Sequence, residues 1–228
     1  MVDEKKLPVD LFVFERKYRA QGAKWICGVD EAGRGPLAGP VAVAACVMPE
    51  GDPIEGVNDS KQLSAKQRDR LFDLIRARAI AFCVKMIDNR VIDEINILEA
   101  TKRGMRESVA GLSVRPDVVL IDAVKLDLGI PSESIIKGDA RSYSIACASI
   151  LAKVSRDRLM EEYDRKWQGY GFAKHKGYGT RAHLEALEKL GRCPIHRESF
   201  LKKFDARAEQ QSLFAEIAAA EDRHEPLA

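Results

Sequence analysis

The sequence predicts a layered α/β domain with a mixed sheet. Short apolar runs rich in β-branched residues, at 25–29, 40–48, 79–87 and 116–121, have strand length and end in polar or glycine-rich chain. Between and after them, apolar positions recur at helical spacing. The 228 residues, 46% apolar and 32% charged, suffice for one packed domain with a small appendage.

Residues 1–24 read as a polar, partly helical extension, residues 25–204 as one α/β unit and residues 205–228 as a helical tail with a frayed end. The run at 40–48 carries no charge, as expected of a strand covered on both faces. Residues 52–61 are loop-like. Ser64 and Gln67 then have capping-box spacing, and Leu71, Leu74 and Ile75 continue a helical stripe. A second helix is expected over 96–112, a short strand over 134–137 and the longest helix over 140–167. The small residues Ala146, Cys147, Ala148, Ser149 and Ala152 would let that helix lie close on a sheet. A further helix over 181–190 ends at Gly191 and Pro194.

Several classes drop out early. No apolar run approaches the roughly 20 residues that span a bilayer. The first residues lack the basic-then-apolar layout of a signal peptide, so a cytoplasmic protein is expected. The five cysteines are scattered and never spaced as CxxC, which points to reduced, buried thiols. The formal net charge is +2, so a nucleic-acid reading must rest on local charge and not on the total. No exposed apolar stripe calls for a second copy, and a monomer is expected.

The informative residues are carboxylates at strand ends. Asp30 and Glu31 close the first apolar run and precede Gly33-Arg34-Gly35. They read either as solvated turn acids or as part of a site, brought together by the glycine-rich bend. Asp122 closes the run at 116–121 in the same manner, and carboxylates ending separate strands can converge on one sheet edge. Asp139, just before the long helix, is either a helix-start acid or a fourth member. Oxygen donors without a His or Cys cluster suit Mg²⁺ or Mn²⁺ rather than zinc. Such sites often hold two ions about 4 Å apart, an arrangement used for phosphodiester hydrolysis. Asp157 lies four residues after Lys153, and an ion pair along the helix is the favoured reading.

The stretch 165–184 has Arg165, Lys166, Lys174, Lys176 and Arg181, with aromatics interleaved and no acid. Basic side chains hold a nucleic-acid backbone, and aromatic faces stack on sugars or bases. Trp167 and Phe172 are expected in the core. Tyr178, between Gly177 and Gly179, is either a turn residue or, as favoured here, a substrate contact. Lys61 is either a solvated loop lysine or a phosphate contact.

Taken together, these blocks resemble a known family. Gly28-Val29-Asp30-Glu31-Ala32-Gly33-Arg34-Gly35-Pro36 resembles the opening signature of the type 2 ribonucleases H, the bacterial ribonuclease HII family in particular. The likeness continues through Asn58-Asp59-Ser60-Lys61-Gln62-Leu63, Val119-Leu120-Ile121-Asp122, Ile136-Lys137-Gly138-Asp139 and Ala148-Ser149-Ile150-Leu151-Ala152-Lys153-Val154. His175-Lys176-Gly177-Tyr178-Gly179-Thr180 and Pro194-Ile195-His196-Arg197 close it.

The resemblance implies a ribonuclease H-like fold, with a mixed five-stranded sheet flanked by helices. It implies an endonuclease that hydrolyses RNA in RNA–DNA hybrids. It also implies incision 5′ to single ribonucleotides embedded in duplex DNA, giving 3′-OH and 5′-phosphate ends, the first step of ribonucleotide removal from DNA. Asp30, Glu31, Asp122 and Asp139 become the expected catalytic and metal-binding set, with two Mn²⁺ or Mg²⁺ ions. Gly33, Arg34 and Gly35 become the reader of the ribose 2′-OH, Tyr178 the ring on the neighbouring deoxyribose, and Lys61 a phosphate contact. Two alternatives remain at this stage: an integrase-like or resolvase-like enzyme on the same fold, and a non-catalytic hybrid-binding module.

Overall fold

In a computed structural model of the chain, residues 10–58, 60–202 and 205 are described. The tail expected beyond 205 lies outside the described residues, as does Asp59. Five strands form one sheet: β1 (Ile26–Ala32), β2 (Val41–Val47), β3 (Ala81–Ile87), β4 (Val118–Asp122) and β5 (Ser132–Ile135). Their order is β3-β2-β1-β4-β5. β2 is antiparallel to β1 and to β3, while β1–β4 and β4–β5 are parallel, so the sheet is mixed as expected.

The helices are α1 (Val13–Ala20), α2 (Ala65–Arg78), α3 (Asn89–Ala110), α4 (Tyr143–Lys166), α5 (Phe172–His175) and α6 (Arg181–Leu190). Strand alternation sorts the sheet's side chains onto two layers. Ala42, Ala44 and Cys46 face α2 and α4, where they meet Leu71, Ile75, Cys147, Ile150 and Leu151. Val43, Ala45 and Val47, with Cys27 and Val29, face α3 through Met105 and Val109.

Gly28 lets α4 lie directly on the central strand. A Cβ there would come within 2.0 Å of the Ser144 carbonyl carbon and 2.4 Å of the Ile145 nitrogen. The small residues expected to allow close packing, Ala146 through Ser149 and Ala152, are all buried.

The capping box forms: the Ser64 hydroxyl accepts from the Gln67 N–H, and the Gln67 side chain accepts from the Ser64 N–H. Other boundaries move, each for a local reason. α4 begins at Tyr143, not 140, because Gly138–Ala140 makes a 3-10 turn and Ser142 caps the helix. Asn96, at φ 67°, interrupts α3, and its side chain accepts from the Leu98 and Glu99 N–H groups. The helical stripe read from residue 96 is thus the second segment of α3; Asp88 caps the first. β5 lies at 132–135, two residues earlier than expected.

α1, in the stretch read as an extension, is fastened to the start of α4. Glu15 is buried there, and its Oε1 accepts from the Ser142 hydroxyl at 2.7 Å and the Ser144 N–H at 2.9 Å. Its carboxylate sits at a helix N-terminus, where the dipole favours negative charge. All five cysteines are free thiols, and four are buried. No helix among the described residues is long and apolar enough to cross a membrane.

Candidate active site

Two parallel pairings gather the carboxylates. Val29 of β1 lies opposite Ile121 of β4, so the next residues, Asp30 and Asp122, stand side by side where the β1–β4 pairing ends. Asp122 in turn pairs with Ile135 of β5, and the chain leaving β5 turns through Gly138–Ala140 at the same edge. The turn is pinned by the Gly138 N–H, which donates to Asp122 Oδ1 at 2.6 Å. Asp30, Asp122 and Asp139 each offer an oxygen, and these lie within 4.8 Å of one another.

Glu31 is not in that trio. β1 runs on through Ala32, so successive side chains alternate; the bend expected to bring both acids to one point follows only afterwards. Glu31 lines the same cleft and lies 3.2 Å from the Arg34 guanidinium, while its Oε2 is buried with no hydrogen-bond partner.

The cleft, about 240 Å³, is lined by Asp30, Glu31, Gly33–Gly35, Lys61, Asp122, Lys153 and Tyr178 among others. Volume alone does not single it out. A cavity of about 320 Å³ between α1 and the chain after β2 is larger and holds none of the trio.

Burial pushes the Asp30 carboxyl well above the usual carboxylate range, and the charges of Glu31 and Asp122 push it further. The Ser149 hydroxyl and the Glu31 N–H, 2.7 Å from Oδ1, oppose this. Burial also raises Glu31, against the pull of Arg34, and raises Asp122, against its bond from Gly138. Lys61 Nζ reaches Asp139 Oδ2 at 2.8 Å and stands where a cation's charge is wanted. Packed acids, an orphaned carboxylate oxygen and hard oxygen donors fit a divalent ion such as Mg²⁺ or Mn²⁺.

The glycine-rich loop is shaped by two buried arginines to which the sequence reading gave no role. Arg197 donates to the carbonyls of Gly33 (2.6 Å), Arg34 (2.8 Å) and Gly39 (2.9 Å). Arg156 donates to those of Pro40 (2.9 Å), Lys176 (2.9 Å) and Ala38 (3.1 Å). Burial lowers both guanidinium groups, to about 9 for Arg197 and about 10 for Arg156. Among the described residues, every hydrogen bond of the two groups goes to a backbone carbonyl, which commits six carbonyls to them. Gly33, at φ 93°, passes so close to Arg156 that a Cβ would come within 1.9 Å of its Nε. Among the described residues, the Arg34 and Gly35 amide hydrogens have no acceptor.

Of the aromatics at 165–184, Tyr178 projects, 45% exposed, with its ring 3.7 Å from the position of a Cβ on Gly35. Phe172 is core, and Trp167 packs edge-on against Tyr163. The basic residues of that stretch are partly tied up: Lys176 pairs with Glu161 and Arg181 with Glu185. Asp157 pairs with Lys153 at 2.8 Å, as expected, and stands apart from the trio.

Carboxylates collected at the parallel edge of a mixed five-stranded sheet define a hydrolase of the ribonuclease H-like fold. A family model described as Ribonuclease HII matches residues 27–203. Ribonuclease HII of Ruminiclostridium cellulolyticum is 56% identical over 192 residues, 84% of this chain and 75% of that protein. Ribonuclease HII of Caldicellulosiruptor bescii is also 56% identical, over 84% of this chain and 93% of its own length. The crystal structure of ribonuclease H2 from Pyrococcus horikoshii OT3 superposes with a TM-score of 0.66 at 28% identity, covering 77% of this chain and 93% of that one. The chain belongs to the ribonuclease HII family, endoribonucleases that act on RNA–DNA hybrids. Membership removes the binding-module and integrase-like alternatives.

Proposed function

We propose that the protein also incises duplex DNA on the 5′ side of a single embedded ribonucleotide, leaving 3′-OH and 5′-phosphate ends, and so begins ribonucleotide removal from DNA. The observation that carries this reading is the meeting of Asp30, Asp122 and Asp139 beside a glycine-rich loop with free amide hydrogens. Asp30, Asp122 and Asp139 would hold Mg²⁺ or Mn²⁺, two ions in all, with Glu31 completing the set through its unpartnered Oε2. Bound divalent ions supply Lewis acidity at the phosphate and ease ionisation of the attacking water.

The chain's own residues then bind and orient. With the loop carbonyls held inward by Arg197 and Arg156, the Arg34 and Gly35 N–H groups are left to donate to the ribose 2′-oxygen, which DNA lacks. The Tyr178 ring packs on the deoxyribose next to the ribonucleotide. The Lys61 ammonium, at the mouth of the same cleft, would contact a backbone phosphate. No side-chain nucleophile is required.

Asp122→Asn tests the assignment. Cleavage of a duplex with one ribonucleotide is expected to fall at least about 100-fold, since even outer-shell changes cost about 10–100-fold at metal sites. Calorimetric titration is expected to show weakened Mn²⁺ binding, with the fold retained by circular dichroism. Wild-type turnover in this variant would overturn the assignment.

A further inference from the structure

Behind the Tyr178 loop lies a set of buried imidazoles that the reaction itself does not use. His183 Nδ1 is 2.9 Å from the Tyr178 carbonyl. His183 Nε2 is 3.1 Å from His196 Nε2, and His196 Nδ1 accepts from the Cys193 N–H at 2.9 Å. Both rings are buried.

The partners fix every proton. A carbonyl can only accept, so His183 carries its hydrogen on Nδ1 and leaves Nε2 bare. His196 must then donate from Nε2, which leaves its Nδ1 bare to accept from Cys193. The Cys193 carbonyl also lies 3.1 Å from that Nδ1, but a ring hydrogen there would face the Cys193 N–H, so the ring hydrogen stays on Nε2. The result is one unbroken series from the Cys193 amide through two neutral rings to the Tyr178 carbonyl. A proton added to His183 would set two N–H groups against each other at the centre, and one added to His196 Nδ1 would face the Cys193 N–H.

His175 braces the other side of the same loop. Its Nδ1 accepts from the Gly177 N–H at 3.2 Å, its Nε2 donates to the Tyr170 carbonyl at 2.7 Å, and its carbonyl accepts from the Tyr178 N–H. Gly177 itself, at φ 83°, lies so close to the Ala38 carbonyl that a Cβ would come within 2.5 Å of the oxygen. The loop is thus held by the Leu37 and Arg156 bonds to the Gly177 and Lys176 carbonyls on one side and by these imidazoles behind Tyr178.

We propose that His183 and His196 are positioning residues for Tyr178, holding its ring at the rim of the acidic cleft only while both imidazoles are neutral. The inference rests on the reading of Tyr178 as the sugar contact. The groups around the pair favour the neutral state. His175 stacks on His183 with centroids 4.5 Å apart, Phe172 meets it edge-on, and Tyr170 and Cys193 share the same buried cluster. Arg192 opposes a charge on His196 while Glu198 favours one. Burial outweighs these effects, lowering His183 to about 4 and lowering His196 too.

The test compares His183→Leu, which keeps bulk, with His183→Asn, whose amide retains a donor near the Nδ1 position and cannot take up a proton. KM and kcat are measured on a duplex with one ribonucleotide, beside Tyr178→Ala and the Tyr178→Ala/His183→Leu pair. His183→Leu is expected to raise KM at least five-fold with kcat moved less than two-fold. His183→Asn is expected to restore KM to within two-fold of wild type, and the double variant to match Tyr178→Ala. If Tyr178→Ala raises KM and His183→Leu does not, or if Asn does no better than Leu, the positioning role is overturned. An unchanged KM in Tyr178→Ala would instead overturn the sugar-contact reading on which it rests. Should His183→Leu fail to fold, imidazole ¹⁵N spectra of the wild type decide: Nδ1–H on His183 and Nε2–H on His196 support the series, and any other pairing overturns it.

Discussion

Burial raises the Asp30 carboxyl, and the neighbouring charges of Glu31 and Asp122 raise it further. Glu31 and Asp122 are raised as well. A carboxyl with a higher pKa in the folded chain than in the unfolded one holds its proton more tightly when folded. It supports folding below its unfolded value, about 4, and that support is lost as pH climbs through the folded value. In EDTA, the melting temperature is therefore expected to fall as pH rises from mildly acid toward 8. Asp30→Asn, which mimics the protonated acid, is expected to flatten that fall. A divalent ion binding only the folded site should reverse it, by about 2.7 kcal/mol at a hundred times its Kd. That corresponds to roughly 5–10 °C for a domain of this size. His183 acts with the opposite sign: it supports folding above about 6.5, and the support is lost as pH falls toward about 4. Thermal scans across pH 4–8, with and without Mn²⁺, check both limbs.

At the scale of elements, the approach of α4 to β1 sets the geometry of the site. It carries Ser149 to Asp30 and puts Arg156 behind the glycine loop. Gly28→Ala would drive a methyl into the helix backbone, which cannot move as a side-chain tip can. The expected cost is about 3 kcal/mol or more, at the upper end of overpacking effects, read from the urea midpoint. Much at this scale was legible in the sequence. The apolar runs stop at Asp30 and Asp122 because those side chains meet where the β1–β4 pairing ends, and the capping box at Ser64 announced α2. The break in α3 was hidden because Asn96 interrupts the backbone while the apolar spacing carries on past it. The first turn of α4 was misplaced because Asp139 looks like a helix-start acid, when Ser142 does the capping.

For the whole molecule, function depends on contacts between distant parts of the chain. Arg197 meets Gly33 and Arg34 across more than 160 positions, and Glu15 meets Ser142 across 127. Such single residues leave no period or local pattern. Arg156, Arg197 and the His183–His196 pair therefore went without an assigned task in the sequence. The near-balanced charge, 37 basic against 35 acidic residues, hid a molecule that gathers three carboxylates at one sheet edge. The resemblance named Asp30, Glu31, Asp122 and Asp139 together, while the fold distinguishes them: three share one point and Glu31 stands on the cleft wall.

The most direct measurement uses a labelled DNA duplex with one embedded ribonucleotide beside its all-DNA twin, in Mg²⁺, Mn²⁺ or EDTA. The site described here predicts metal-dependent cleavage on the 5′ side of the ribonucleotide, with the twin intact and no cleavage in EDTA. Cleavage of both duplexes would contradict the loop's reading of the 2′-OH, and cleavage that survives EDTA would contradict the metal role of the carboxylates.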